Sequence, residues 1–470
     1  MSDGIGGFAA LLGDGDTLTG PDHTAPYVTD TRDRLSGAVA AVLRPRTVAQ
    51  VQAVVAHAHR TRTAIIPQGG NTGLVGAGLP RTGGAGDEII VSLARLDTIR
   101  NVDTASNTMT AEAGCILQTL QETADAADRL FPLSLGAKGS CRIGGNIASN
   151  AGGTGTLAYG NTRDLVLGLE VVLPDGRLWN GLSKLRKDNT GYDLKNLFVG
   201  AEGTLGIVTA ATLKLFPKPR GRGVAFVGLA SPDDALRLLS LMQAQAAGGL
   251  TGFELMSRRA LDFTLRHTPG ARAPLTGTHA WTALVEISSM RGEEDAAATL
   301  EAALSAAFER GAVEDATIAA SGQQAADFWK LREDMSWAQK PEGASIKHDI
   351  AVPIDAVPAF CREADAAVAR IVPGARIVNF GHLGDGNLHY NVSRPEDWTD
   401  AAFFELEEAV HDAVYERVVA HGGSISAEHG IGQIKRERLA AVKDPVALAL
   451  MRQIKATLDP HRIMNPGKVV

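Results

Sequence analysis

A chain of 470 residues with 44% apolar content is long enough for two or three cores rather than one. Its net charge of −7 argues against nucleic acid as a partner, because phosphate binding needs a basic excess. The three cysteines, Cys115, Cys141 and Cys361, form no CxxC pair, which argues against a disulfide framework or a cysteine zinc site and fits a reducing, cytoplasmic setting.

In chain order, residues 1 to 35 read as an N-terminal arm with a short helix. The opening "MSDGIGGFAALLGDGD" lacks the basic start and long apolar run of a secretory signal. No window approaches the roughly 18 continuous apolar residues of a membrane span. "TVAQVQAVVAHAHRTR" (47–62) has helical apolar spacing, and "TAIIPQGG" reads as a strand running into a glycine turn. "EIIVSLARLD" and "TMTAEAGCIL" read as strands, "ILQTLQETADAADR" as a helix, and "LVLGLEVVLPDGRLW" as a hairpin turning on "PDG". Prolines and basic residues in "FPKPRGR" (216–222) mark a domain boundary. Beyond it, "GVAFVGLA", "SPDDALRLLSLMQAQAA", "HAWTALVEIS" and "GEEDAAATLEAALSAAFERGA" alternate strand and helix, which predicts an α+β second domain.

Three stretches are unusual for their glycines, of which the chain has 52. "PQGGNTGLVGAG" (67–78) follows a strand as a phosphate-binding turn should, yet its spacing is not the GxGxxG of a dinucleotide fold. Clustered glycines let consecutive backbone N–H groups converge on an anion without Cβ interference. "GSCRIGGNIASNAGGTGTLAYGNTRD" (139–164) is so small-sided that it reads as unable to build a core, and a large flat ligand is expected to order it. "VGAEGTLGIVTAATLKLFPKP" (199–219) is the third.

These stretches resemble the FAD-binding domain of the vanillyl-alcohol oxidase / p-cresol methylhydroxylase superfamily. Within it, the chain from about residue 36 to 470 is similar to the D-2-hydroxyacid dehydrogenases, the branch with D-2-hydroxyglutarate dehydrogenase, D-lactate dehydrogenase and the glycolate oxidase flavin subunit. The resemblance implies an α+β protein. It would have a two-part FAD-binding domain (36–219) and a substrate or cap domain with an antiparallel sheet (220–423). A C-terminal segment (424–470) would return to the flavin.

By the same resemblance Gln68, Gly69, Gly70, Asn71, Thr72 and Gly73 would wrap the pyrophosphate. Gly139, Ser140, Gly145, Asn146, Ser149, Asn150 and Gly153 would line the flavin. Glu202 and Ile207 would meet the adenine half, and Asn465 in "MNPGK" would return to the flavin. "PQGGNTGLVG" has no histidine or cysteine, so a non-covalent FAD is expected, with Cys141 a packing residue.

"FGHLGDGNLHYN" (380–391) places His382 and His389 around a glycine turn between two strand-like segments. The spacing is not that of a zinc helix, and ordinary turn residues, a base or metal ligands all remain open from the residues alone. A hairpin would bring both imidazoles to one side. Glu428 would complete two nitrogens and one carboxylate, a catalytic rather than structural donor set. The resemblance implies that His382, His389 and Glu428 hold a divalent metal, with zinc first and manganese or iron as alternatives, and that Asn391 lies near the substrate's first carboxylate. His429, projecting away from Glu428 in extended backbone, is the expected base, since imidazole titrates close to neutrality.

"FWKLREDMSWAQ" (328–339) reads as a helix with Arg332 and Ser336 on one face, and Lys347 reads as lying on the next strand. The resemblance gives Arg332, Ser336 and Lys347 the distal carboxylate of the substrate. It implies oxidation of a D-2-hydroxyacid to its 2-oxoacid, with D-2-hydroxyglutarate first and D-lactate or glycolate as the alternative. The expected electron acceptor is an electron-transfer flavoprotein or a quinone, and a homodimer is among the assemblies allowed. A flavin-binding subunit without chemistry, and a flavin-free metal hydrolase, are the readings from other classes.

Overall fold

The computed structural model describes residues 2–470, and the side chains of all of these except 2–4 and 14. The chain divides into two units, one formed by residues up to Gly152, Gly160–Lys218 and Glu428–Val470, the other by Gly153–Tyr159 and Pro219–Ala427.

In the first unit, strands Ala41–Leu43, Ile89–Ser92 and Ile65–Gln68 pair in parallel, with Thr17–Leu18 antiparallel on the outer side of the first. Parallel pairing needs a crossover, which helix Val48–Thr61 supplies. Thr47 caps it by accepting the Gln50 N–H, and Arg62 ends it in a left-handed turn. Its stripe Val51, Val54, Val55 and Ala58 packs with Leu43, Ile65, Ile89 and Val91 in one core. Strand Ile65–Gln68 therefore delivers the glycine turn at a fixed place. The C-terminal segment lies beside this strand: Ile65 donates its N–H to Ile463 O at 2.7 Å, and Asn465 donates its own to Ile65 O at 2.7 Å. A second sheet in this unit is wholly antiparallel, in the order Ile99–Asp103, Thr108–Glu112, Ile207–Lys214, Val166–Val172, Leu178–Gly181. It contains the hairpin expected around "PDG".

Two expectations fail here. Residues 1–35 are not a separate arm: helix Ser2–Leu12 belongs to the first unit, and Phe8 is fully buried, its ring 4.6 Å from that of His57. The small-residue stretch, read as unable to build a core, also packs. Ile143–Ser149 is a helix with Ile143, Asn146 and Ile147 buried, and Gly144 donates its N–H to Ala113 O at 2.8 Å. Small side chains allowed that close approach rather than preventing burial.

Lys468 is 2% exposed in this unit, and its Nζ has no hydrogen-bond partner among the described residues. Burial pulls its pKa down to about 8, against the attraction of Glu88 and Glu202. Between that value and the ordinary lysine range the unfolded chain holds a proton that the folded one does not, so stability rises with pH there. Lys468→Met is expected to gain about 1–3 kcal/mol near pH 7 and to lose that rise. Urea unfolding near pH 7 and near pH 10 measures both, and a wild-type chain that gains nothing relative to the variant at the higher pH contradicts the assignment.

In the second unit, one antiparallel sheet runs Asp315–Ile318, Gly221–Leu229, Trp281–Ser289, Leu250–Ser257, Arg376–His382, Asn387–Ser393, Ser345–Ile346, with Asp349–Ala351 also on Asn387–Ser393. Strand alternation separates its two faces. Ala225, Val227, Leu255, Val285, Leu388 and Tyr390 share a core with residues of helices Pro232–Ala246, Glu293–Glu309, Val357–Ile371 and Glu407–Ala420. Val224, Phe226, Met256, Leu284, Val378 and Phe380 pack with helices Arg258–His267 and Gly322–Ala338. Lys347 does not lie on a strand as expected. It falls with His348 in the break between Ser345–Ile346 and Asp349–Ala351, where the His348 N–H is taken by Asn391 Oδ1 at 3.3 Å. The chain passes to the second unit at Pro219 and back to the first at Glu428, not at 424.

A glycine-lined cavity and a histidine-bearing sheet face

A cavity of about 330 Å³ opens in the first unit where the glycine turn, helix Ile143–Ser149 and strand Ile207–Lys214 meet. Its wall holds Gln68, Gly69, Gly70, Asn71, Thr72 and Gly73 from the turn, Gly145, Asn146 and Ser149 from the helix, and Glu202 and Ile207. Gly139, Ser140 and Asn150 do not line it, and Gly153 belongs to the other unit. Sequence reading missed Val75, Leu135, Phe198 and Val208, which supply apolar wall together with Cys141, read as a packing residue. Cys141 is buried and its thiol pKa is raised by that burial.

The wall suits a large ligand with an anionic middle. A Cβ on Gly73 or Gly145 would meet nothing, whereas one on Gly70 would lie 2.2 Å from Ser140 O, so only glycine lets the turn pass there. Asn146 is 4% exposed, and its Oδ1 has no hydrogen-bond partner among the described residues. A buried amide oxygen in a cavity wall calls for a donor from whatever fills the cavity. Gln68 is spent on scaffold instead, its Nε2 donating to Tyr27 O at 2.8 Å and Gly78 O at 2.7 Å. Asn465 is also scaffold: it does not line the cavity, and its Nδ2 donates to Ala77 O at 2.9 Å and Glu202 O at 2.7 Å. Glu428 and His429 both face this cavity, from a run of bends rather than the extended backbone expected.

The second unit carries its own polar group on the sheet face that packs helix Gly322–Ala338. Glu254 pairs with His382 across neighbouring strands, and Phe380 with His389 across the hairpin, so all four share a face. The two imidazole centroids are 5.7 Å apart. Glu254, which sequence reading missed, is 1% exposed and joins two groups: Oε1 meets His382 Nδ1 at 2.8 Å, and Oε2 accepts from Arg332 Nε at 2.8 Å. Burial alone would raise its pKa, but His382 and Arg332 outweigh that and hold it below the usual glutamate value. His389 Nδ1 lies 4.0 Å from Asp349 Oδ1.

Arg332 is buried, with its guanidinium 4.9 Å over the Phe380 ring. Its Nη2 has no hydrogen-bond partner among the described residues. Ser336 is exposed one turn further on, and exposed Lys347 reaches its backbone, Nζ to Ser336 O at 3.4 Å. Asn391 is buried on the same face as His389.

Residues 39–181 match the family described as FAD binding domain, and residues 218–469 match the family described as FAD linked oxidases, C-terminal domain. D-2-hydroxyglutarate dehydrogenase, mitochondrial, of Bos taurus is 38% identical over 97% of this chain and 81% of its own length. D-2-hydroxyglutarate dehydrogenase of Xanthomonas citri pv. viticola is 38% identical over 96% of this chain and 93% of its own. Among solved structures, p-cresol methylhydroxylase with substrate bound superposes with a TM-score of 0.79 at 18% identity, over 100% of this chain and 96% of that one. That likeness is one of fold, and the fold is the p-cresol methylhydroxylase type expected. With family matches across both halves and relatives at this identity along nearly the whole length, the chain belongs to the FAD-linked oxidases.

Proposed function

We propose that this chain is an FAD-dependent dehydrogenase that oxidises D-2-hydroxyglutarate to 2-oxoglutarate. Relatives of that name support the substrate. The observation that carries the chemistry is the cavity wall in which His429 stands with the glycine turn and Asn146. FAD, when bound, supplies the acceptor for the substrate's hydride. Asn71, Thr72 and the glycines Gly69, Gly70 and Gly73 hold its pyrophosphate through backbone N–H groups, while Gly145, Asn146 and Ser149 offer helix and amide contacts.

Loss of hydride from a carbinol carbon must be matched by loss of the hydroxyl proton, and His429 takes it. His382, His389 and Glu428 are the proposed holders of a divalent cation, with zinc first and manganese or iron as alternatives, which would supply Lewis-acid polarisation of the hydroxyl oxygen. Support comes from the second unit alone, where each imidazole has a carboxylate at its Nδ1 side, Glu254 for His382 and Asp349 for His389. At hydrogen-bond distance, the Glu254 carboxylate would fix the His382 tautomer and place its lone pair on Nε2. Asn391 binds the carboxylate next to the carbinol. Arg332, through the buried Nη2, binds the far one with Ser336 and Lys347.

A second reading, D-lactate or another short acid, is favoured by one observation: Arg332 already gives Nε to Glu254, so less of its fork remains for a distal carboxylate. Electrons would pass to an electron-transfer flavoprotein or a quinone. Three buried, unpaired cysteines support a reducing, cytoplasmic setting, although the Bos taurus relative is named mitochondrial. No helix is long and apolar enough to cross a membrane among the described residues.

Anaerobic titration of the yellow protein with D- and L-acids of three to five carbons is the test. Bleaching by D-2-hydroxyglutarate, lost on chelation and restored by zinc, is expected. Faster bleaching by D-lactate removes the distal role of Arg332, and full bleaching after confirmed demetallation removes the metal.

A further inference from the structure

Glu202 stands where three parts of the first unit meet. Its backbone is left-handed, with φ of 50°, and its side chain is buried. Oε1 accepts the N–H of Ile431 and Oε2 that of Gly432, both at 2.7 Å. Its own carbonyl accepts from Asn465, which also holds Ala77 in the glycine turn. Gly432 O in turn accepts from Val469 N–H at 3.1 Å, and Gln433 N–H donates to Val75 O at 3.0 Å. The carboxylate thus grips the two amides that follow His429 and Gly430 directly. Gly430 has φ of 85°, and a Cβ there would stand 2.7 Å from Glu202 Oε1, so the sequence leaves room for the carboxylate and nothing else.

Residues 427–429 are bends with no ladder to hold them. A base on such a segment depends on tethers, and a carboxylate that accepts from two consecutive amides ties down the residues just after it. Both oxygens are engaged inside the protein, which leaves the carboxylate poorly placed to read the adenine half of FAD, the role the sequence first suggested.

We propose that Glu202 is a positioning residue: it fixes the segment 428–432 and thereby keeps His429 in the cavity wall. The proposal rests on the reading of His429 as proton acceptor. Glu202→Gln offers one acceptor oxygen where two amides need one each, and turns an NH₂ against a backbone N–H.

The expected result is a variant that retains its yellow colour, with KM changed little and the rate of flavin reduction lowered about 10- to 100-fold. Amide hydrogen exchange at Ile431 and Gly432 should quicken about tenfold or more, in protein stripped of FAD as well as in loaded protein. Glu202→Asp, which keeps both acceptors on a shorter arm, should recover part of each. Gly430→Ala, which pushes the segment off the carboxylate, should reproduce the quickened exchange if Glu202→Gln does not fold.

Unchanged exchange at both amides overturns the tether. Loss of FAD with exchange unchanged returns Glu202 to the adenine. Quickened exchange with an unchanged reduction rate overturns its influence on the reaction. The reading of His429 fails separately, through the His429→Ala protein described below, whatever the exchange data show.

Discussion

His429→Ala protein should keep FAD and its yellow colour but reduce the flavin about 10²- to 10⁴-fold more slowly with the best hydroxyacid. The side chain lines the cavity without being part of the glycine turn that would hold the pyrophosphate, so FAD binding and proton removal separate in this variant. Stopped-flow absorbance under anaerobic conditions measures the rate, and the spectrum of the resting protein measures occupancy. Partial recovery by added imidazole would tie the loss to the missing base rather than to a collapsed wall. Reduction at the wild-type rate removes His429 from the reaction.

Glu254→Ala should be the costliest single change in the second unit. It strips the carboxylate from a guanidinium and an imidazole that are 7% and 8% exposed, and leaves Arg332 buried without its counter-charge. Removing one partner of a buried pair destabilises by about 3–5 kcal/mol. Denaturant unfolding followed by Trp329, whose Nε1 donates to Glu286 on the same sheet, reads that loss. Glu254→Gln keeps the volume and one acceptor, so it should fold better. It should still weaken binding of the proposed divalent cation about 10- to 100-fold, because His382 loses its carboxylate partner. An alanine variant as stable as the wild type would mean that the three groups are not coupled as their distances indicate.

Glu254 also shows where sequence reading stopped. The hairpin that carries His382 and His389 was legible because its alternation and its glycine turn are local, and the structure pairs Phe380 with His389 as a hairpin return requires. Helix Val48–Thr61 was legible for the same reason, through its apolar spacing. Glu254 meets His382 across 128 residues of chain, through a register between strands that are not consecutive. The one local signal was a carboxylate in the middle of the apolar strand "LTGFELMS", where an unpaired charge could not stay.

For Arg332 the spacing gave a helix face, but that this face is buried depends on the sheet beneath it. In the glycine stretches the residue types were telling and the exact contacts were not. Gly69 to Gly73 reach the cavity while Gly139 and Ser140 do not, although their neighbours Ala137, Cys141 and Arg142 do. Glu202 was found by motif, but its two amide partners lie 229 and 230 residues later and left no local signal.

The strand Ile65–Gln68 is bordered on one side by Ile463–Asn465. During synthesis on the ribosome, nearly four hundred residues must emerge before that border exists. Until then the strand that presents the glycine turn stays an open edge, able to pair with foreign chains. Holdase chaperones in the producing cell would therefore be expected to govern yield more than any choice of growth temperature.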